Sequence, residues 1–280
     1  MSAGHQTSWF GRTALGLGYA FLYLPILILV VFSFNASRIS TVWSGFSLKW
    51  YVALFHDDSM LSAAWISLKI AFFAATASVV LGTLAAMVMT RFKPFRGKTL
   101  FGALITAPLV MPEVVTGLSL LLMFVTLFGP LGISPKGMLS IWIAHVTFTM
   151  AFVSVIVSSR LAELDKSLEE AAMDLGANRL KVFFVITLPI IMPALLSGWL
   201  LAFTLSLDDV VISSFVSGPD STTLPMKIFS TVRLGLNPKI NALASLLTMV
   251  VSSAALVGWY HMYREEKRRR RDQQLALQAN

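Results

Sequence analysis

Lys69, Glu113, Asp208 and Asp209 each lie where the surrounding sequence is almost wholly apolar. A charge in the middle of a hydrocarbon layer costs about 2.5–3.5 kcal/mol on insertion scales, so such residues face a cavity, a partner or one another rather than lipid. Carboxylates in excess over ammonium groups suit attraction of a cation, and we expect Glu113 and one of the two aspartates to do this. Asp208 and Asp209 are consecutive. On a helix their side chains diverge by about 100°, so only one faces a shared pathway fully. Lys69 supplies the competing expectation, a structural ion pair with one aspartate.

Other chemistries find little support. Gly97-Lys98-Thr99 has the ending of a phosphate-binding loop, but the glycine needed at position 92 is Phe92 and no strand precedes it, so ATP binding is not expected. His145 stands alone in an apolar run and reads as a hydrogen bond between helices. No zinc spacing, nucleophile elbow or paired histidine–carboxylate motif is visible, so neither an enzyme nor a metal or cofactor site is expected. With Cys 0, disulfides are impossible.

The elements that must hold these residues are apolar. The chain is 56% hydrophobic and 13% charged, which a soluble domain of this size would not tolerate on its surface. Apolar runs near residues 13–34, 63–90, 100–127, 139–158, 194–217 and 242–263 are each long enough to cross about 30 Å of hydrocarbon at about 1.5 Å per residue. Strand-like alternation is missing, which argues against a β-barrel. The expected class is therefore an all-α polytopic membrane protein with six transmembrane helices, in one domain over residues 1–280. The first run is too long for the apolar part of a signal peptide and lacks a cleavage site after it, so it reads as an uncleaved span.

Ala74, Ser78, Gly82 and Ala86 make a stripe of small residues on which another helix can approach closely. Pro108 and Pro112 predict a kinked third span beside a cavity. On continuous helices Glu113 and Asp208 lie about 13 and 14 residues into spans three and five, roughly 20 Å deep in both, which would let them share one cavity. The segments around residues 46–55 and 218–241 read as an interfacial helix and a proline-bent connection.

Orientation follows from the distribution of Lys and Arg. Arg91–Lys98, Arg160–Lys181 and Arg264–Arg271 concentrate positive charge on one side, against scattered Arg38, Lys49, Lys136, Lys227, Arg233 and Lys239 on the other. Both termini and the polar loop 159–193 are therefore expected in the cytoplasm. The run Lys267–Arg271 reads as an anchor at the lipid surface, not a nucleic-acid site. Within the polar loop, Ser167-x-x-Glu170 reads as a capping box opening a short helix that Gly176 ends. A second helix is expected over Asn178–Leu188, stopped by Pro189.

Glu170-Ala171-Ala172, three residues, Gly176, nine residues and Ile186-x-Leu188-Pro189 resemble the Glu-Ala-Ala (EAA) motif of permease subunits in bacterial ABC importers. Thr106–Glu113, Ser206–Asp209, Thr223-Leu224-Pro225 and Asn237-Pro238 are similar to the spermidine/putrescine permeases, above all to the second permease of a putrescine importer. The resemblance covers nearly the whole chain. It implies the type I importer permease architecture and a multi-pass location in the bacterial inner membrane. It also implies a second permease subunit, two copies of a cytoplasmic ABC ATPase, a periplasmic polyamine-binding protein and a polyamine substrate. Glu170, Ala171, Ala172 and Gly176 would couple the permease to the ATPase, leaving Glu113, Asp208 and Asp209 as candidates for the substrate pathway. Two alternatives stay open: an ion-coupled secondary transporter using the same carboxylates, against which the lack of an internal repeat counts, and an importer permease for another cation.

Overall fold

The computed structural model describes residues 9–39, 42–233, 235 and 237–278. Among the described residues regular structure is helical, apart from an isolated antiparallel bridge between Asn35 and Phe46. The stretches Trp9–Ser33, Asp58–Arg91, Glu113–Leu131, Met138–Glu163 and Arg179–Asp208 are long and apolar enough to cross a membrane. The chain separates into two compact units: residues 1–58 with 231–280, and residues 59–230.

In the first unit α1 (Trp9–Ser33) and α2 (Lys49–Phe55) both pack on α12 (Pro238–Gln278). Tyr51 on α2 ties the three together, its hydroxyl 2.7 Å from Ser33 Oγ and donating to Ser245 Oγ at 3.1 Å. The apolar face of α1 is open, with Phe21 82% exposed. Such a surface suits lipid or a second membrane subunit and not water. The last helix is much longer than the expected 242–263 span, reaching Gln278.

In the second unit α6 (Met138–Glu163) is the central member, packed on by α3 (Asp58–Arg91), α4 (Lys98–Val110), α9 (Leu188–Asp208) and α10 (Val211–Val216). The small-residue stripe of α3 is buried along its length. Ser78 Oγ lies 2.7 Å from Thr149 Oγ1 of α6. A Cβ on Gly82 would come within 2.9 Å of the Val153 side chain and 3.0 Å of the Met150 carbonyl, so the helices meet at a distance only glycine permits. Val153, Val157 and Leu161 then pack with Ile191 and Leu195 of α9. Ile70, Phe124, Ile141 and Ile212 form a separate core.

Two expected spans are broken. The third is not kinked but divided: α4 stops at Val110, Met111 and Pro112 are extended with ψ of 138° and 135°, and α5 (Glu113–Phe128) starts afresh. Pro112 has no N–H to continue the ladder and drives the residue before it out of the helical region. The matched depth of Glu113 and Asp208 assumed an unbroken helix and does not follow from this geometry. The fifth span divides after Asp208, where Asp209 turns extended with ψ of 126° and α10 opens two residues on.

Pro189 does not stop a helix. It sits in the first turn of α9, where its missing N–H is tolerated. The chain runs from α8 (Arg179–Val182) through a π-helical turn at Phe183–Thr187 straight into α9. The proline-bent segment contains α11 (Leu224–Arg233), and Leu224 N–H donates to Ser67 Oγ at 2.7 Å.

Candidate functional site

Asp209 and Asp208 have opposite surroundings. Asp209 is buried beneath the break between α9 and α10. Its Oδ1 accepts from Ile212 N–H at 3.1 Å and its Oδ2 from Ser213 N–H at 2.7 Å, satisfying the free amides of the new helix. His145 Nε2 lies 3.2 Å from the same Oδ2 and 3.1 Å from Ser213 Oγ, while Nδ1 is 2.6 Å from Ser206 Oγ. Both ring nitrogens of His145 are thereby in hydrogen-bond contact with side chains that follow it by about 60 residues or more. His145 thus links helices, as its isolation in the sequence predicts.

It also forms a histidine–carboxylate pair that no local motif announces, because Asp209 is 64 residues away. The trio Ser206, His145 and Asp209 contains the groups of an acyl-transfer triad. Its geometry is that of a core fastening: His145 is 1% exposed and every polar atom is occupied within the chain. A substrate carbonyl has no approach.

Asp208 closes α9 with its side chain exposed. Glu113, at the start of α5, is also exposed, and its carboxylate has no hydrogen-bond or ion-pair partner among the described residues. Lys69 pairs with neither aspartate; its ammonium lies over the Trp65 ring, 5.2 Å from the centroid. The loop lysine Lys98 donates to the Phe92 carbonyl at 2.8 Å and so ties its own turn.

The polar loop is built around α7 (Lys166–Asp174). Its cap is Asp165, not Ser167: the Asp165 carboxylate accepts from Ser167 N–H at 2.9 Å, and that bond holds its pKa below the usual carboxylate range. Asp165 competes better for the first amides because it carries charge at the positive end of the helix. Gly176 ends the helix as expected, with φ of +86°. Gly176 N–H donates to Met173 O at 2.9 Å and Ala177 N–H to Ala172 O at 3.0 Å, the pair of bonds that closes a Schellman turn. Asn178 then caps α8 through Lys181 N–H at 2.8 Å.

The exposed side of α7 carries Glu170, Ala171 and, one turn on, Leu175 at 90% exposure; Ala172 is half-buried. Facing inward is Glu169, which the motif does not contain. Arg91 at the end of α3 places Nε 3.0 Å from Oε2 and Nη2 3.2 Å from Oε1 of Glu169, and Thr187 Oγ1 donates to Oε1 at 2.8 Å. Sequence reasoning misses this cluster. Arg91 reads only as one of several basic residues near a span end, and nothing local pairs it with position 169.

Residues 78–269 match the family described as binding-protein-dependent transport system inner membrane component, and the chain belongs to that family. It is 62% identical over 261 residues to the putrescine transport system permease protein PotI of Escherichia coli (strain K12), covering 93% of each chain. With the spermidine/putrescine transport system permease protein PotC of Haemophilus influenzae it shares 46% identity over 239 residues, 85% of this chain and 90% of that one. Among solved structures, a bacterial ABC transporter involved in import of the acidic polysaccharide alginate superimposes with a TM-score of 0.65 at 16% identity, over 89% of this chain and 92% of that one. The MetNI methionine ABC transporter follows at a TM-score of 0.57 and 15% identity, over 69% and 88%. These distant structures carry the fold alone: an all-α importer permease of type I. The chain is accordingly a multi-pass inner-membrane component of a binding-protein-dependent transport system and not an enzyme.

Proposed function

We propose that this chain is one of two permease subunits of an ATP-driven importer that carries polyamines, putrescine first and spermidine second, across the cytoplasmic membrane by alternating access. The observation that carries the reading is the 62% identity to a putrescine permease over 93% of the chain. The exposed Asp208 and Glu113 carboxylates support it chemically, because a di- or polyammonium substrate crossing an apolar layer needs fixed anions on its route. Asp209, with its oxygens already committed to His145, Ile212 and Ser213, supports the pathway instead by holding the break at which Asp208 stands.

Counting α4–α5 as one divided span and α12 as the last gives six crossings, with both termini and α7 in the cytoplasm by the distribution of Lys and Arg. In that orientation Glu170, Ala171, Ala172 and Gly176 enter a cleft of a cytoplasmic ATPase, present in two copies, while a second permease completes the pathway. A periplasmic polyamine-binding protein delivers the cargo.

The test is reconstitution of the chain with and without its ATPase, second permease and binding protein, followed by uptake of labelled putrescine. Uptake that needs every component, competed by spermidine but not by thiamine or ferric iron, is the expected result. Uptake by this chain without an ATPase would make it a secondary transporter, and a complete complex indifferent to polyamines would make it a permease for other cargo.

A further inference from the structure

The thin packing of α7, which touches α8 and the π-turn without burying a residue, is the starting observation. None of its residues is buried, and it is joined to α6 by the extended Leu164-Asp165 and to α8 by the left-handed Gly176. A helix hung between two turns would pivot when pushed, and the push would be lost in the turns. Among the described residues, Glu169 is the one α7 side chain hydrogen-bonded to another element.

Its partners are well chosen for carrying force. Arg91 is the last residue of the 34-residue helix α3, and Thr187 is the last residue of the π-turn that feeds α9. Both long helices pack on α6, and α9 ends at Asp208. The Arg91 and Glu169 side chains are only 13% and 15% exposed. In such partial burial a fork-on-carboxylate pair is far less screened than on an open surface, and its planar geometry resists rotation.

We propose that Glu169 is a positioning residue that locks α7 to the ends of α3 and α9, so that displacement imposed on α7 moves those helices as a body. The inference rests on the reading of α7 as the surface that meets the ATPase. Glu170 would then make the outward contact and Glu169 the inward one.

The experiment uses the complete importer in proteoliposomes, with putrescine uptake and ATP hydrolysis measured on the same preparation. For Glu169→Gln and Arg91→Gln, assembly with the ATPase and hydrolysis are retained while putrescine imported per ATP falls at least tenfold. The reversed pair, Arg91→Glu with Glu169→Arg, recovers at least half of the ratio. A ratio within twofold of the parent in both single variants overturns the proposal. So does a proportional loss of uptake, hydrolysis and assembled complex that the reversed pair fails to rescue, since that marks a folding role alone.

A separate arm tests the underlying reading. The chain has Cys 0, so Leu175→Cys supplies its one thiol at the exposed C-cap of α7. Cross-linking of that thiol to the ATPase, combined with an unchanged ratio in Glu169→Gln, sinks only the locking role. No cross-link sinks the reading of α7 and this inference with it.

Discussion

Two pairs of adjacent carboxylates stand at the two ends of α9, and each is divided in the same way. Glu169-Glu170 lies beside its start and Asp208-Asp209 closes its end, about 30 Å apart for a helix of 21 residues. In both pairs one member turns inward, to Arg91 and Thr187 or to His145, Ser213 and a helix start. The other member is left exposed. The lesson is that adjacency does not mean redundancy: the inward acid fixes a backbone position, and the outward acid is left exposed beside it.

The pairs also differ. Asp209 is anchored by an imidazole and backbone amides in the buried core, whereas Glu169 is anchored by a guanidinium at a partly wet edge. The core anchor should therefore govern folding, and the edge anchor should govern transmission of movement.

The largest effect that would break this comparison belongs to Asp209→Ala. Removing it strands His145 and the first amides of α10, and each buried group left unsatisfied costs about 1–3 kcal/mol. Thermal unfolding of the detergent-purified permease should show a large drop in Tm and poor membrane yield. Equal stability in Asp209→Ala and Asp208→Asn would erase the distinction between the two acids.

Asp208→Asn should leave Tm and abundance near the parent while putrescine uptake falls about tenfold. That is the loss expected when a charge-assisted contact worth about 1.5–3 kcal/mol is weakened at a mobile cargo. Combining it with Glu113→Gln should deepen the loss, measured as initial rates against putrescine concentration.

Thr187→Val removes one of the hydrogen bonds to Glu169 and leaves Arg91 in place. The expected cost is about 1 kcal/mol in unfolding, with a small fall in uptake per ATP. A loss as large as that of Glu169→Gln would shift the weight of the lock from the ion pair to the hydroxyl.

The smallest effect concerns the Asp165 cap. Its folded pKa lies below the unfolded value of about 3.9, so its contribution to α7 is complete above that value and is lost as pH falls through the folded pKa. Hydrogen exchange at Ser167 and Leu168 should accelerate only below about pH 4 relative to an Asp165→Asn variant, whose cap does not titrate.

How much was legible follows from these residues. The small-residue stripe of α3 could be read directly, because helical periodicity alone puts Ala74, Ser78, Gly82 and Ala86 on one face. Gly176 could be read for a similar reason, since its backbone conformation is local. Pro112 told of a disturbance but not of its size, and the capping box at Ser167 lost to a charged competitor two residues earlier. Lys69 was a plausible counter-ion by depth alone, yet its ammonium found an aromatic face one helical turn away.

What the sequence determined by itself was therefore the membrane class, the helical content and the motif that marks α7, since each rests on composition or on spacing along one helix. Only the tertiary structure decided which acid of each pair is fastened and which is free. Arg91 meets Glu169 across 78 residues, and His145 meets Asp209 across 64. Contacts of that range are selected by how helices pack on α6, and no local pattern encodes them.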